Sequence, residues 1–156
     1  MKHVTTELHF ITTTYAQHIA QLPESDFSAK PNPAKWSKKE VMGHLIDSAE
    51  NNLRRFICGQ YESSPPKIRY EQNFWVNANN YLNAPSSEVF ESWKLVNLKI
   101  CRVLDNMPVE NYKKLVDTGK DAPNLLTIEW LAIDYVKHLK HHLNQIIPNS
   151  FDIVYP

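Results

Sequence analysis

The chain has 156 residues, and its 17 lysines and arginines balance its 17 aspartates and glutamates, so the formal net charge at pH 7 is zero. A chain without a basic excess has few charges to neutralise phosphates, and we therefore expect no nucleic-acid partner. The length fits a single domain over residues 1–156, and three glycines are too few for a turn-rich β fold or a glycine-rich phosphate cradle.

Apolar residues recur at three- and four-residue steps in four stretches, which predicts an all-α fold with four amphipathic helices packed as a four-helix bundle. We expect these helices at about residues 4–22, 37–59, 86–107 and 127–147. A proline follows the first, third and fourth of them, where it cannot continue a helix. No apolar run approaches the ~20 residues that cross a bilayer, so we expect no membrane association.

The second helix has the clearest start signal in the chain. Ser37 is the predicted N-cap, and Glu40, three residues later, is placed to complete a capping box. Trp36 before the cap and Val41 after it are placed to form a hydrophobic staple. We expect the helix to end at Gly59, which suits the C′ position.

Two long connections, about residues 60–85 and 108–126, join the second helix to the third and the third to the fourth. Loops of that length in a compact domain are usually functional or contain short helices. The first holds too many aromatic residues for a disordered linker: Tyr61, Tyr70, Phe74, Trp75 and Tyr81. We expect it either to cover one end of the bundle as a pocket wall or to form a satellite core under a long loop.

Three histidines occupy inner or nearly inner helix positions. His138 and His142 are four residues apart on the apolar stripe of the fourth helix, so both imidazoles lie on one face, close enough to bind one ion. His44 lies two turns into the second helix, at or beside its inner face. Three histidines leave a metal position open, as in catalytic sites. The alternative is a set of hydrogen-bonded core or rim histidines, since an unpartnered buried imidazole costs about 1–3 kcal/mol.

Residues 36–48 (WSKKEVMGHLIDS) resemble the second-helix signature of the DinB-like (DinB/YfiT-like) superfamily, and residues 135–146 resemble its last-helix signature. The order of the other elements also matches, so the resemblance extends over nearly the whole chain. It implies a four-helix bundle with a divalent metal ion, often zinc or nickel. The ligands it implies, carried over residue by residue, are His44, His138 and His142.

The resemblance also implies which reactions to consider. Several characterised members of the superfamily are thiol transferases that attach bacillithiol, mycothiol or glutathione to electrophiles, and others are described as metal-dependent hydrolases. A bound divalent ion holds a thiol as thiolate or lowers the pKa of bound water to about 7, and three histidines alone do not choose between these. Our hypothesis is transfer of a small-molecule thiol to an electrophile bound under residues 60–85. The alternatives are a metal-dependent hydrolase and a non-catalytic bundle that binds a small ligand.

Further polar residues are candidates whose roles the pattern leaves open. Asp47 is placed to act in catalysis, by accepting a proton, orienting a ligand histidine or bonding metal-bound water, but a solvated or helix-pairing carboxylate also fits. Asp134 has the same two interpretations. Arg54 and Arg55 suit either a substrate carboxylate or the wet face of a helix. His141 is turned about 100° from its neighbour around the helix and is expected at the rim.

The cysteines indicate the compartment. Cys58 and Cys101 fit no metal or redox spacing and are typical of free thiols, which favours a cytoplasmic protein. Residues 1–10 lack the apolar region of a secretory signal.

Members of the superfamily often form dimers, so a homodimer is a further expectation, although the pattern identifies no helix face for it.

Overall fold

A computed structural model describes residues 1–155, and helices dominate it. In chain order the elements are α1 (Lys2–Ala20), α2 (Glu24–Phe27), α3 (Lys38–Tyr61), α4 (Gln72–Asn79), α5 (Ser86–Asp105), β1 (Leu115–Asp117), β2 (Leu125–Thr127) and α6 (Ile128–Ile146). Two 3₁₀ turns, Tyr81–Asn83 and Val109–Asn111, flank α5. No helix within residues 1–155 is both long and apolar enough to cross a bilayer.

The four long helices form the predicted bundle. α3 packs against α5 and α6, and α1 packs against the same two helices from the other side, so α1 and α3 lie diagonally across the core. The core consists of almost fully buried aliphatic and aromatic side chains, among them Leu8, Leu45, Phe56, Trp93, Ile100 and Leu139. The prediction of an all-α four-helix bundle is confirmed, and the helix ends lie close to the predicted ones.

The two long connections contain short helical elements, as loops of this length often do, and a strand pair that was not predicted. The first holds α4 and a 3₁₀ turn, and the second holds an antiparallel pair, β1 with β2, in which Val116 lies opposite Leu126. Segments of three residues are too short to show a period. β2 leads directly into α6, whose N-cap Thr127 accepts a hydrogen bond from the Trp130 N–H at 3.1 Å. The strand pair therefore sets where α6 begins.

The capping box predicted at the start of α3 is present. Ser37 Oγ accepts a hydrogen bond from the Glu40 N–H at 3.1 Å, and Glu40 Oε2 accepts one from the Ser37 N–H at 2.8 Å. Lys30 Nζ donates to the other oxygen of Glu40 at 2.9 Å. Burial raises the pKa of Glu40, but the hydrogen bonds from Ser37 and Lys30 outweigh it and lower that pKa. One buried carboxylate thus ties segment 28–37 to the start of α3.

Gly59 lies inside α3, so the expectation that it ends the helix is wrong. The helix continues to Tyr61, and Gly59 is a buried packing position. A Cβ at residue 59 would come within 2.8 Å of Val116 Cγ2 and 3.0 Å of Ile128 Cδ1. Glycine at this position allows β1 and the start of α6 to pack closely on α3.

Gly43 has a similar role one residue before His44. A Cβ at residue 43 would overlap the ring of Tyr81, which packs directly on the backbone of α3. The Tyr81 hydroxyl donates a hydrogen bond to Asp47 Oδ1 at 2.7 Å, which holds the ring in that place. The 3₁₀ turn before α5 is therefore joined closely to the helix that carries His44.

We expect Gly43→Ala to lower the free energy of unfolding by about 1–3 kcal/mol, because the added methyl group displaces a packed Tyr81 ring. Helix propensity alone would make the same change stabilising by up to about 1 kcal/mol. Denaturant titration measures the effect. In a Tyr81→Ala background, where the ring is absent, Gly43→Ala should become stabilising. A stabilising effect in the wild-type background would contradict the close packing.

Candidate metal centre

α3 and α6 run antiparallel and bring three histidines into contact. His44 lies near the start of α3, and His138 and His142 lie on successive turns of α6. The Nε2 atoms of His44 and His138 are 3.2 Å apart, and the three pairs of ring centroids are 4.5 to 5.1 Å apart. One nitrogen from each ring lies within 4.8 Å of the other two. The structure thus places together the three histidines singled out in the sequence.

The spacing of the nitrogens suits one divalent ion. Imidazole nitrogens bind zinc at about 2.0–2.1 Å, so two of them on one tetrahedral ion lie about 3.3 Å apart. The distance between the Nε2 atoms of His44 and His138, 3.2 Å, is close to this value. Imidazole ligands suit zinc, nickel, copper and iron alike, so the donor set fits a divalent ion without selecting which one.

The three imidazoles differ in their burial. His44 is 1% exposed, whereas His138 and His142 are half-buried. Leu139 and Leu143, each one residue further along α6, occupy the fully buried positions. The two histidines, predicted on the apolar stripe of α6, are therefore one residue away from its fully buried positions. They lie at its margin, where α6 faces His44.

Burial lowers the pKa of all three imidazoles. The pKa of His44 falls to about 4 and that of His138 to about 2, and the neighbouring imidazoles add to the effect of burial. The pKa of His142 is also lowered, mainly by burial, although its contact with Gln145 acts in the opposite direction. All three rings are therefore neutral at pH 7, which is the form that binds metals.

Gln145 orients one of the rings. Its Oε1 lies 3.3 Å from His142 Nδ1, and because an amide oxygen only accepts, Nδ1 carries the hydrogen and the lone pair of His142 is on Nε2. Partners of this kind fix the tautomer of ligand histidines in metal sites. The Nδ1 atoms of His44 and His138 are buried and have no hydrogen-bond partner in the described part of the chain. The protein therefore provides hydrogen-bond partners for only some of the imidazole nitrogens in the cluster.

A cavity of about 560 Å³, which we call the histidine-side cavity, opens beside the cluster. Two of its lining residues contact the histidines. The ring centroid of Trp36 is 5.2 Å from that of His44, and Gln145 contacts His142. The volume is that of a small-molecule site. The other lining residues belong to α2, the start of α3 and the segment between them: Asp26, Ala29, Lys30, Pro31, Lys35, Lys38 and Val41.

Residues 60–85, expected above the site, do not line the histidine-side cavity. They pack on α3, and their buried residues Ile68 and Val76 stand outside the main core cluster, as a satellite core would. Asn79 and Tyr81 also line a separate cavity of about 190 Å³ that contains no histidine. The pocket beside the histidines is instead walled by the segment before α3, which the sequence did not mark as a pocket wall.

Tyr155, which the sequence did not single out, lies against the cluster. Its ring centroid is 5.7 Å from that of His138 and 5.5 Å from that of His141, which is half-buried at the rim. Its hydroxyl donates a hydrogen bond to Asp134 Oδ2 at 3.2 Å, so this carboxylate holds the tyrosine. Burial, aided by Asp134, raises the pKa of Tyr155 to about 12, and the phenol is therefore neutral. No sequence pattern signals a contact between the segment after α6 and the cluster.

Asp47 is fully buried and ties α3 to the segment before α5. Its Oδ1 accepts hydrogen bonds from the Tyr81 hydroxyl at 2.7 Å and from Asn79 Nδ2 at 2.9 Å. Its Oδ2 has no partner in the described residues, and no hydrogen bond there joins it to a histidine. Burial raises the pKa of Asp47 to about 6, although the hydrogen bonds from Tyr81 and Asn79 oppose the shift. A catalytic role for Asp47 stays a prediction.

The two arginines have different surroundings. Arg54 is exposed, as on the wet face of a helix. Arg55 is half-buried, and its Nε and Nη2 donate to the carbonyl oxygen of Ile68 at 3.1 and 2.9 Å. Its Nη1 donates to Asn52 Oδ1 at 3.2 Å. Arg55 therefore fastens the connection after α3 to that helix.

The family model of the DinB superfamily matches residues 7–146 of the chain. Among curated proteins, none matches the sequence.

Solved structures share the fold. YfiT from Bacillus subtilis, described as a probable metal-dependent hydrolase with an unusual four-helix bundle topology, has a TM-score of 0.81 at 22% identity, over 93% of this chain and 82% of YfiT. A mycothiol-dependent maleylpyruvate isomerase has a TM-score of 0.70 at 10% identity, over 91% of this chain and 59% of the isomerase. At these identities the likeness shows a common fold.

The metal-free protein should lose stability through His44 as the pH falls below about 6.5. The unfolded state takes up a proton on this residue near pH 6.5, whereas the folded state resists protonation down to about pH 4. Between these values the unfolded state binds more protons, so the free energy of unfolding falls by at most about 1.4 kcal/mol per pH unit.

Between about pH 3.8 and pH 6, Asp47 makes the free energy of unfolding rise as the pH falls. Its pKa is raised in the folded state, so the folded state binds more protons than the unfolded state in this range. The comparison of wild type with His44→Leu separates the two effects. Denaturant titrations with chelator from pH 7 to pH 4.5 should show a steeper loss in the wild type. A difference between the two proteins that does not change with pH would contradict burial of His44 as a neutral imidazole.

Proposed function

We propose that this chain, which belongs to the DinB superfamily, is a divalent-metal-dependent enzyme that transfers a small-molecule thiol to an electrophile. In this proposal His44, His138 and His142 hold the ion, which is zinc or nickel. The observation that carries it is the cluster of three neutral imidazoles beside a cavity large enough for a small molecule. Apolar side chains alone can hold a helical bundle together, whereas a metal-dependent enzyme needs ligand residues of this kind.

The comparisons support the proposal at different levels. YfiT is described as a probable metal-dependent hydrolase, and the isomerase depends on mycothiol. The first agrees with a metal-dependent reaction, and the second agrees with a thiol substrate. This chain spans 59% of the isomerase, so the thiol dependence of that protein enters here as support for a proposal.

A divalent ion bound by three histidines supplies an open coordination position that holds a thiol as thiolate or activates a water molecule. The protein groups around the cluster prepare that position. Gln145 keeps the Nε2 lone pair of His142 free for a ligand bond. The ring of Trp36 covers His44 on the cavity side, and Tyr155 packs on His138, so both aromatic rings limit the access of bulk water.

Asp47 is proposed as a residue that accepts a proton during the reaction. Its support is the shifted pKa of about 6 and the unpartnered Oδ2, both typical of groups at functional sites. Its hydrogen bonds to Tyr81 and Asn79 support a structural role as well. Asp47→Asn separates the two, since a structural role alone changes stability and leaves the rate of the folded enzyme unchanged.

Metal-dependent hydrolysis is the second candidate, because YfiT is described in those terms and the same open position activates water. A non-catalytic bundle that binds a small ligand in the histidine-side cavity is the third. Cytoplasmic location, a homodimer and a single domain over residues 1–156 are further parts of the proposal.

Protein loaded with zinc or nickel should accelerate conjugation of bacillithiol, mycothiol or glutathione to monobromobimane. Loss of a group that only orients a metal ligand costs about 10–100-fold, so His44→Ala, which removes a ligand, should lower the rate at least as much. His9→Ala, which changes an exposed histidine of α1 outside the cluster, is the matched control and should keep the wild-type rate. Stopped-flow or steady-state fluorescence measures all three proteins.

Failure of the loaded protein to accelerate conjugation with any of these thiols would reject thiol transfer. Metal-dependent hydrolysis of p-nitrophenyl acetate without conjugation would favour the hydrolase. Absence of both reactions, together with ligand binding that does not depend on metal, would favour the non-catalytic bundle.

A further inference from the structure

The walls of the histidine-side cavity carry an excess of positive charge. Three lysines line it, whereas Asp26 is the one carboxylate among its lining residues. The formal net charge of the whole chain is zero, so this local excess departs from the average surface. A cleft whose walls have one sign of charge focuses the field on its interior and attracts ions of the opposite sign.

Two of the three lysines form ion pairs. Lys38 Nζ lies 2.8 Å from Asp26 Oδ2, and Lys30 Nζ lies 2.9 Å from Glu40 Oε1. Lys35 has no ion pair with any of the residues that the structure describes. The cavity therefore keeps about one uncompensated positive charge, and Lys35 carries it.

The backbone that carries Lys35 is held in place. Its N–H donates to the Asn32 carbonyl oxygen at 3.1 Å, and the Ala34 N–H donates to Asn32 Oδ1 at 3.0 Å. Pro31 and Pro33 restrict the same segment further. A constrained segment loses little conformational freedom when a ligand binds, which favours recognition by a preformed site.

We infer that the histidine-side cavity binds the carboxylate of a small anionic substrate and that Lys35 is the residue that recognises it. The ammonium group of Lys35 pairs with one carboxylate group of such a molecule. Trp36 and Gln145 line the cavity and also contact the histidine cluster, so a molecule held by Lys35 lies beside the proposed metal centre. The assignment of this molecule as a reactant, either the thiol or the electrophile, rests on the proposed function. The carboxylate site itself does not.

The first test uses metal-free protein and succinate, so it is independent of any reaction. The indole N–H signal of Trp36, identified by its loss in Trp36→Phe, should shift on titration with succinate and stay unchanged with the neutral analogue succinamide. Lys35→Gln should weaken succinate binding by about three- to fivefold, the effect of losing one exposed charge pair. Lys35→Arg should restore most of it.

Lys99→Gln is the matched control, because Lys99 is exposed on α5, has no ion pair in the described residues and lines a different cavity. Succinate binding should be unchanged in this variant. An equal response to succinamide, or equal succinate affinity in wild type and Lys35→Gln, would overturn the inference. These outcomes do not depend on thiol chemistry, so the carboxylate site stands or falls separately from the proposed function.

A competition experiment identifies which reactant carries the carboxylate. In the conjugation assay with loaded protein, competition of succinate with the thiol would assign the carboxylate to the thiol. Competition with the electrophile would assign it to the electrophile. Inhibition that competes with neither would contradict the assignment of the bound molecule as a reactant, whereas the carboxylate site itself is decided by the binding test.

Discussion

The carboxylate of Glu40 is the group on which the site depends most. It is 6% exposed and receives hydrogen bonds from the Ser37 N–H, the Ser37 hydroxyl and the Lys30 ammonium. The first two begin α3 at a defined residue, and the third holds the preceding segment against that helix. Because a buried charge that loses a partner is strongly destabilising, this arrangement is rigid. The position of His44, one turn later, and the wall of the histidine-side cavity follow from it.

The second constraint is the antiparallel packing of α3 and α6. It brings a residue near the start of one helix to the last turns of the other, so His44 meets His138 and His142 at one end of the bundle. Elsewhere the helices meet through apolar side chains. At this end burial keeps three imidazoles neutral, and two of their nitrogens have no protein partner among the described residues. An ion bound to one nitrogen of each ring would add ligand bonds between the two helices at this end.

Much of the fold follows from local signals in the sequence. Helical periodicity and the Ser37–Glu40 pair place the long helices, and the i, i+4 spacing places His138 and His142 on one face. The resemblance to the superfamily signatures is what implied that His44 joins them. Patterns of this kind depend on residues close in sequence. The surroundings of the cluster depend on distant contacts instead. Gly59 is a packing position because β1 approaches it, and Tyr155 lies beside His138 because the chain folds back after α6.

Contacts between distant residues also explain why the pocket does not lie under residues 60–85, where the sequence predicted it. The aromatic residues of segment 60–85 suggested a cover for the site, but none of them lines the histidine-side cavity. Tyr81 packs on α3 where Gly43 has no side chain, and Tyr61 and Phe74 are exposed. The actual wall is a short segment with prolines and lysines, whose composition resembles an ordinary loop. Its importance comes from the Lys30–Glu40 contact, which joins residues ten apart and has no periodic signature.

We expect one divalent ion to be bound by His44, His138 and His142, and the metal content of the purified protein measures this. Protein purified without chelator should contain about one zinc or nickel ion per chain by mass spectrometry. Each single change of these histidines to alanine should remove the ion, whereas His9→Ala should retain it. No bound metal in the wild type after incubation with zinc and nickel, or an undiminished content in the three variants, would contradict this expectation.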